Sequence, residues 1–394
     1  MHSSGTYSNV SGRATRILIA ILLTAAAVSA LILLSRDDPE IRTQLSVADA
    51  LAADTAGFLR ADRRRAIEFP SDHGPHPGYR TEWWYYTGNV ASQDGRRFGY
   101  QLTFFRTELR ADTTAAATDS AWNTNQLYMA HFAVTDPTGN RFAASERFSR
   151  GAAGLAGAQS MPFRIWLEDW STSGPTADSV RLRAGGESLS IDLRLMRVKP
   201  VVLHGDGGLD VKGPEPGNAS YYYSMTRLAT NGTIAMDGAA YEVSGWSWMD
   251  HEWSTSALGE NQVGWDWFSL QLDDGREIMY YQLRLDDGGV SEFSSGSLID
   301  LQGDVTPLAW GDVLLEPSRY WRNPESGYAY PVAWRFQVPD QNVDLRLEAL
   351  MDDQELAAVV TYWEGAVRIE GTSTGYGYAE LTGYGDSEGR LRGR

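Results

Sequence analysis

Beyond Phe69 the chain is written in short runs of aromatic and β-branched residues, each closed by a turn rich in Gly, Asp, Asn or Pro. Asn89 to Gly95, Asp136 to Asn140, Asp273 to Arg276 and Asp286 to Gly289 are turns of this kind. Runs so short and so punctuated suit strands rather than helices, and they predict an all-β fold. At Asp94-Gly95 and Asp274-Gly275 an aspartate-glycine pair supplies the positive φ that a tight hairpin needs. The flanks of those two hairpins echo each other. Trp83-Trp84-Tyr85-Tyr86 and Tyr100-Gln101-Leu102 are answered by Trp265-Asp266-Trp267-Phe268 and Tyr281-Gln282-Leu283. A duplicated unit is the economical reading: two tandem antiparallel β-barrels, each closing its own sheet so that no edge is left exposed. Chance likeness between two aromatic hairpins is the alternative. A chain of 394 residues is long enough for two domains.

The N-terminus adds a location. Ile17 to Leu34 carries no charge and, as a helix, would extend roughly 27 Å, close to a hydrocarbon core. Arg13 and Arg16 precede it and Arg36-Asp37-Asp38-Pro39-Glu40 follows. The basic flank stays in the cytoplasm, so residues 1–36 read as an inner-membrane anchor that carries one transmembrane helix. A tether at residues 37–65 then leads to a folded part in the periplasm or outside the cell. The rival is a secreted chain with a signal peptide cut near Val28-Ser29-Ala30, although Leu31-Ile32-Leu33-Leu34 prolongs the apolar run past that point. A net charge of −17, from 34 basic and 51 acidic side chains, would repel phosphate backbones, so no nucleic-acid partner is expected. With no cysteine, disulfides and thiolate nucleophiles are excluded.

Three ionisable side chains lie among three tryptophans in Ser244-Gly245-Trp246-Ser247-Trp248-Met249-Asp250-His251-Glu252-Trp253. If the segment is extended, Trp246, Trp248, Asp250 and Glu252 share one face and Ser247, Met249, His251 and Trp253 the other. One of the two faces should line an apolar barrel lumen, where burial keeps a carboxylic acid protonated near neutrality. A neutral carboxyl beside aromatic rings suits acid-catalysed addition of water to a C=C bond: the acid protonates the alkene and the rings stabilise the cation. That chemistry needs no metal and no cofactor. The bland reading is that these groups hydrogen-bond their neighbours and only hold the strand. A metal site joining His251 and its acidic neighbours to His131 lacks any His-x-His or His-Glu-x-x-His spacing. His131, on an apolar strand, otherwise reads as a satisfied core histidine. Glu82 alternates with Trp84 and Tyr86 and should face inward with them, needing Arg80, Arg106 or a histidine as partner. The Gly- and Pro-rich stretch from His204 to Ser220 is a long loop of the kind that carries function. No nucleophile elbow, P-loop or dinucleotide fingerprint occurs.

At His76-Pro77-Gly78-Tyr79-Arg80-Thr81-Glu82-Trp83-Trp84-Tyr85-Tyr86-Thr87-Gly88 and at Ser244 to Trp253 the chain resembles the carotenoid 1,2-hydratase (hydroxyneurosporene synthase) and AttH-like family of lipocalin-like proteins. The resemblance implies two lipocalin-like (calycin) barrels, placed here at 66–250 and 251–394. It also implies a site built from the His and Trp of the Asp-His-x-Trp motif, here His251 and Trp253, with a Tyr and a nearby Asp on a later strand. That strand reads Met279-Tyr280-Tyr281-Gln282 and offers Tyr281 without an acid, so Asp250, Glu252 or Asp266 would give the proton. Trp248, Trp84, Tyr86, His131 and Trp267 are the expected ligand-binding residues. The function expected is binding of an apolar isoprenoid or lipid, with hydration of a C=C bond. The alternatives are a non-enzymatic lipid carrier partnered with an ABC-type transport system and a secreted hydrolase.

Overall fold

The computed structural model of the chain describes residues 55–111, 124–186, 188–256, 258–259 and 261–385. The expected membrane segment at Ile17 to Leu34, and residues 37–54 of the tether, lie outside the described residues. Among the described residues no helix is long and apolar enough to cross a membrane.

Strand rhythm follows burial. In Leu189–Arg197 the residues Leu189, Ile191, Leu193 and Leu195 are buried and their neighbours are more open. Val343–Ala349 repeats this with Val343, Leu345, Leu347 and Ala349. Such alternation marks sheets wrapped around a core on one side. Thr81–Ser92, the second half of Ala239–Ser254 and Gln262–Leu272 are instead buried on both faces. Their aromatic runs are near-continuous because a second layer covers their outer side.

All pairings are antiparallel, in two sheets. In the first, running from Thr81 to Ser254, the opening strand Thr81–Ser92 lies between its hairpin partner Arg97–Glu108 and the last strand Ala239–Ser254. The second, from Gln262 to Leu381, likewise sets its first strand Gln262–Leu272 against its last, Gly375–Leu381. The expected hairpins at Asp94-Gly95 and Asp274-Gly275 are present, with Gly95 at φ 88° and Gly275 at φ 89°. In each turn the glycine alone takes the positive φ, the pattern of a type I turn completed by a left-handed residue.

Each sheet has its own core, with Trp84, Phe104 and Trp253 in the first and Phe268, Trp334 and Trp363 in the second. A third cluster joins them: Tyr85, Tyr222 and Trp248 from the first sheet pack on Trp267, Tyr281 and Tyr378 from the second. The backbones approach closely at Gly99, where an added Cβ would stand 2.5 Å from the Ala366 Cβ. Only glycine permits that contact. Side-chain amides fasten the layers: Asn89 Nδ2 donates to the Gly377 carbonyl at 2.9 Å, and Gln271 Nε2 to those of Thr226 and Ser247 at 2.7 and 3.0 Å.

The architecture is lipocalin-like, as a nearly closed barrel and a half-barrel. This corrects the expectation of two separately closed barrels. Face-to-face packing of the sheets buries apolar surface that closure would otherwise have had to hide. The chain passes between sheets after Ser254 and before Gln262. The Asp250/His251 division drawn from the sequence therefore falls inside one strand, which pairs on one side with Thr81–Ser92 and on the other with Ala219–Met236.

Candidate active site between the sheets

Ala239–Ser254 is the wall between two polar sites, because its alternate side chains point to opposite layers. Met249 and Trp253 enter the core of the first sheet, where His251 stacks on Trp84, while Trp248, Asp250 and Glu252 face the second sheet. The parity read from the sequence is thus correct, and both faces are buried.

On the second-sheet side lies a partly open cleft of about 200 Å³, lined mainly by aromatic and aliphatic surface from both sheets. Asp250 lies at its wall, 2% exposed. Its carboxyl accepts hydrogen bonds from the Tyr222 hydroxyl at 2.7 Å, from Trp248 Nε1 at 2.6 Å and from the Ser224 hydroxyl. No cation among the described residues is paired with it. Burial pushes the acid up to about 7, against the pull of its three donors and with help from nearby Glu252. Tyr222 is itself held by Trp267, whose Nε1 donates to its oxygen at 3.0 Å, and Trp267 sets its edge on Tyr85 at 5.2 Å.

Glu380 is a second neutralised acid in the cleft. It accepts from Trp265 Nε1 at 2.8 Å, and burial, with the Asp250 and Glu252 charges, lifts it to about 7. Directly across the ladder stands Glu364, fully buried and raised well above the carboxylate range by burial and by Glu380. At the other end, Lys212 Nζ lies 2.9 Å from Asp210 Oδ2, 2.9 Å from Glu252 Oε1 and 4.2 Å from the centre of the Tyr281 ring. Burial opposes its charge, but the two carboxylates hold it well above the usual lysine range. Glu252 is raised by burial despite Lys212. The Tyr281 hydroxyl is 3.0 Å from Ser295 Oγ, and burial keeps it a neutral phenol. His131 also lines the cleft, but both its nitrogens are taken, by Tyr362 at 2.6 Å and Glu146 at 2.8 Å.

The other face holds a closed ionic network. Glu82 meets His251 Nε2 at 2.8 Å, His76 Nδ1 at 2.6 Å and Arg106 Nε at 2.7 Å, so the partner expected for it is both an arginine and a histidine. His251 Nδ1 is 3.0 Å from the Tyr223 hydroxyl, and Trp253 stacks on His76 with ring centres 3.7 Å apart. Burial drives His251 down to about 4 against the pull of Glu82, so the imidazole is neutral at physiological pH. His76, Glu82 and His251 are near enough to share a cation, yet Glu82 already receives two imidazoles and a guanidinium. Arg106 brings positive charge to this pocket, and His76 adds to it: burial opposes the charge on its ring, but the hydrogen bonds to Asp72 and Glu82 raise it above the ordinary histidine value.

Four expected cleft residues are therefore relocated. His251, Trp253, Trp84 and Tyr86 belong to the interior of the first sheet, because their strand positions have the opposite parity to Asp250. Asp266 also points away from the cleft: Arg284 Nε donates to it at 3.0 Å and the Tyr384 hydroxyl at 3.0 Å, which makes it a structural ion pair. Asp250, Glu252, Tyr281, His131 and Trp267 line the cleft, and Trp248 supports Asp250 from behind. A tyrosine hydroxyl beside an aspartate occurs twice, as Tyr222 with Asp250 and as Tyr281 of the later strand with Asp210, which comes from the loop before Ala219–Met236. Sequence reasoning missed Tyr222, Glu380 and Lys212. Lys212 had a signal, since it lies in the loop singled out above and the chain has only two lysines, Lys199 and Lys212.

The raised Asp250 acid has a thermodynamic signature. Between about pH 4 and about pH 7 the folded chain holds a proton that the unfolded chain has lost, so this group's contribution to stability rises as pH falls through that window. In urea unfolding, the difference between wild type and Asp250→Asn should move by up to about 4 kcal/mol in favour of wild type from about pH 8 to about pH 4. A difference that stays flat would mean that Asp250 ionises normally.

A family model described as AttH-like matches residues 60–384. The crystal structure of an AttH protein from Nitrosomonas europaea is 34% identical, with a TM-score of 0.74, over 83% of this chain and 100% of that one. Kievitone hydratase from Nectria haematococca has a TM-score of 0.62 at 12% identity, over 83% of this chain and 98% of that one, a likeness of fold alone. No curated protein matches. With the family match spanning residues 60–384 and a relative 34% identical over 83% of this chain, the chain belongs to the AttH-like family.

Proposed function

We propose that the cleft takes one end of an apolar, chain-like molecule, of isoprenoid type, and adds water across a C=C bond in the manner of a carotenoid 1,2-hydratase. The observation that carries this reading is a buried carboxyl with no cation paired to it among the described residues, Asp250, in an aromatic-walled cleft that also holds the half-buried acid Glu380. A cleft of about 200 Å³ is small beside the ~300–1,000 Å³ of a pocket that encloses a whole ligand, so the rest of a long molecule would lie outside its open side.

The chemistry balances without other reagents. The Asp250 acid, directly or through the Tyr222 hydroxyl, gives its proton to one alkene carbon, whose π electrons form the new C–H bond. The tertiary cation left on the other carbon faces the rings of Tyr222, Trp267 and Tyr281. Water attacks it, forming the C–O bond, and passes its extra proton to a cleft carboxylate. Lys212 does not oppose the cation, since Asp210 and Glu252 cancel its charge. The kievitone hydratase that shares this fold is by name also a hydratase, but the reading here rests on the cleft. In the same proposal, residues 17–34 anchor the chain in the inner membrane with the cleft on the outer side.

Incubating the full chain with an acyclic carotene or squalene should give a product heavier by one water. Tight retention of the hydrocarbon with no product would sink the enzymatic reading and favour a carrier serving an ABC-type transporter.

A further inference from the structure

Behind Asp250 runs a buried polar line that crosses from one sheet to the other. The Ser224 hydroxyl donates to Asp250 Oδ1, His204 Nε2 is 2.7 Å from Ser224 Oγ, and His204 Nδ1 is 2.9 Å from Ser297 Oγ. Ser224 belongs to Ala219–Met236 of the first sheet and Ser297 to Ser295–Ile299 of the second. His204 comes from the Gly- and Pro-rich loop, and the short Val202–Leu203 strand fixes it by pairing with Ser224 and Tyr223. The Tyr222 ring packs on the imidazole with centres 4.4 Å apart. All three members of the line are at most 2% exposed. We propose that Ser224, His204 and Ser297 are a proton relay that loads Asp250 from the side away from the cleft, with His204 as a positioning residue whose tautomer follows the charge on Asp250.

Donor counting leads to this conclusion. With Asp250 ionised, Ser224 and Trp248 donate to Oδ1 and Tyr222 to Oδ2. Ser224 has one proton and has given it, so its oxygen must receive one: His204 carries its hydrogen on Nε2, and Ser297 donates to Nδ1. With Asp250 protonated on Oδ1, each link reverses. The acid donates to Ser224, Ser224 donates to a bare Nε2, and Nδ1–H donates to Ser297. Passing between the states moves the Nε2 proton to Ser224, the Ser224 proton to Asp250 and the Ser297 proton to Nδ1, while Ser297 takes one from water. The imidazole is neutral in both, which agrees with a histidine that burial drives down to about 3. The other groups facing Asp250 are Tyr222 and Trp248, which donate to it here, and the charges of Glu252, Lys212, Asp210 and Glu380, which line the cleft or its loop wall.

This relay rests on the reading of Asp250 as the acid, and two nuclei separate the claims. In the full chain carrying ¹⁵N-histidine and ¹³C-carboxyl aspartate, the Asp250 carbon reports the acid and the His204 nitrogens the tautomer. His204→Gln and Asp250→Asn identify the signals. The relay predicts that His204 changes from Nδ1–H to Nε2–H with the midpoint of the Asp250 carbon, near pH 7, and that Ser224→Ala abolishes this change while the carbon still titrates. An Asp250 carbon that titrates with no response at His204, or a response that survives Ser224→Ala, overturns the relay and leaves the acid intact. A carbon that does not titrate near neutrality overturns both.

Discussion

Arg106→Met should cost about 3–5 kcal/mol of folding stability, read as a fall in the urea midpoint with an unchanged slope. Arg106 is fully buried, and it donates to Glu82 at 2.7 Å, to Glu108 at 3.0 Å and to the carbonyls of His76 and Tyr79. Methionine keeps much of the volume and removes the one guanidinium that, among the described residues, pairs with the fully buried Glu82 carboxylate. Glu82 now lies well below the usual carboxylate range, because Arg106 and the two histidines outweigh a burial that pushes it up. Without Arg106 the two histidines alone oppose the burial that pushes Glu82 up. Adding Glu82→Gln should recover part of the loss, since the uncompensated charge, rather than the missing contact, is the larger penalty. A loss below about 1 kcal/mol for Arg106→Met would show that water or a proton replaces the guanidinium freely.

The sequence carried local information and lacked long-range information, and the motif from Ser244 to Trp253 shows where the boundary falls. Period-two alternation sorted its side chains into the two faces the structure has. It could not say which face meets a cavity, because that depends on a second sheet, beginning at Gln262, covering the outside of the first. Tryptophan and histidine were weighted toward the ligand, yet Trp253 stacks on His76 in a network that a fold alone requires. Asp266 could have been placed better, since it alternates with Trp265 and Trp267 and must face away from whatever those two line. Glu380 lies in a strand that reads as glycine and tyrosine, with no local sign that Glu364 would stand opposite it. Closure of the sheets was equally hidden, because strand patterning is the same whether a sheet closes on itself or is covered by another.

Asp250→Asn should lower the rate of hydration by about 10²–10⁴-fold, the usual worth of a general acid, with little change in KM. The substitution is nearly isosteric, and its amide oxygen can take the Oδ1 position, keeping the hydrogen bonds from Trp248 and Ser224. The NH₂ group then faces the Tyr222 oxygen, which already receives Trp267 Nε1–H and has a second lone pair free. The fold and the aromatic walls are preserved, so binding of an apolar molecule is preserved with them, and only the transferable proton is gone. Tyr222→Phe makes the companion measurement. If the proton travels through the phenol, its effect on kcat should approach that of Asp250→Asn. If Asp250 reaches the alkene directly, Tyr222→Phe removes one stabilising donor from the carboxylate and shifts the alkaline limb of the rate profile, where the acid loses its proton, upward in pH. An Asp250→Asn protein that keeps its rate within about tenfold would remove Asp250 from the acid's role and transfer it to Glu380, the other carboxyl that burial holds near neutrality in the same cleft.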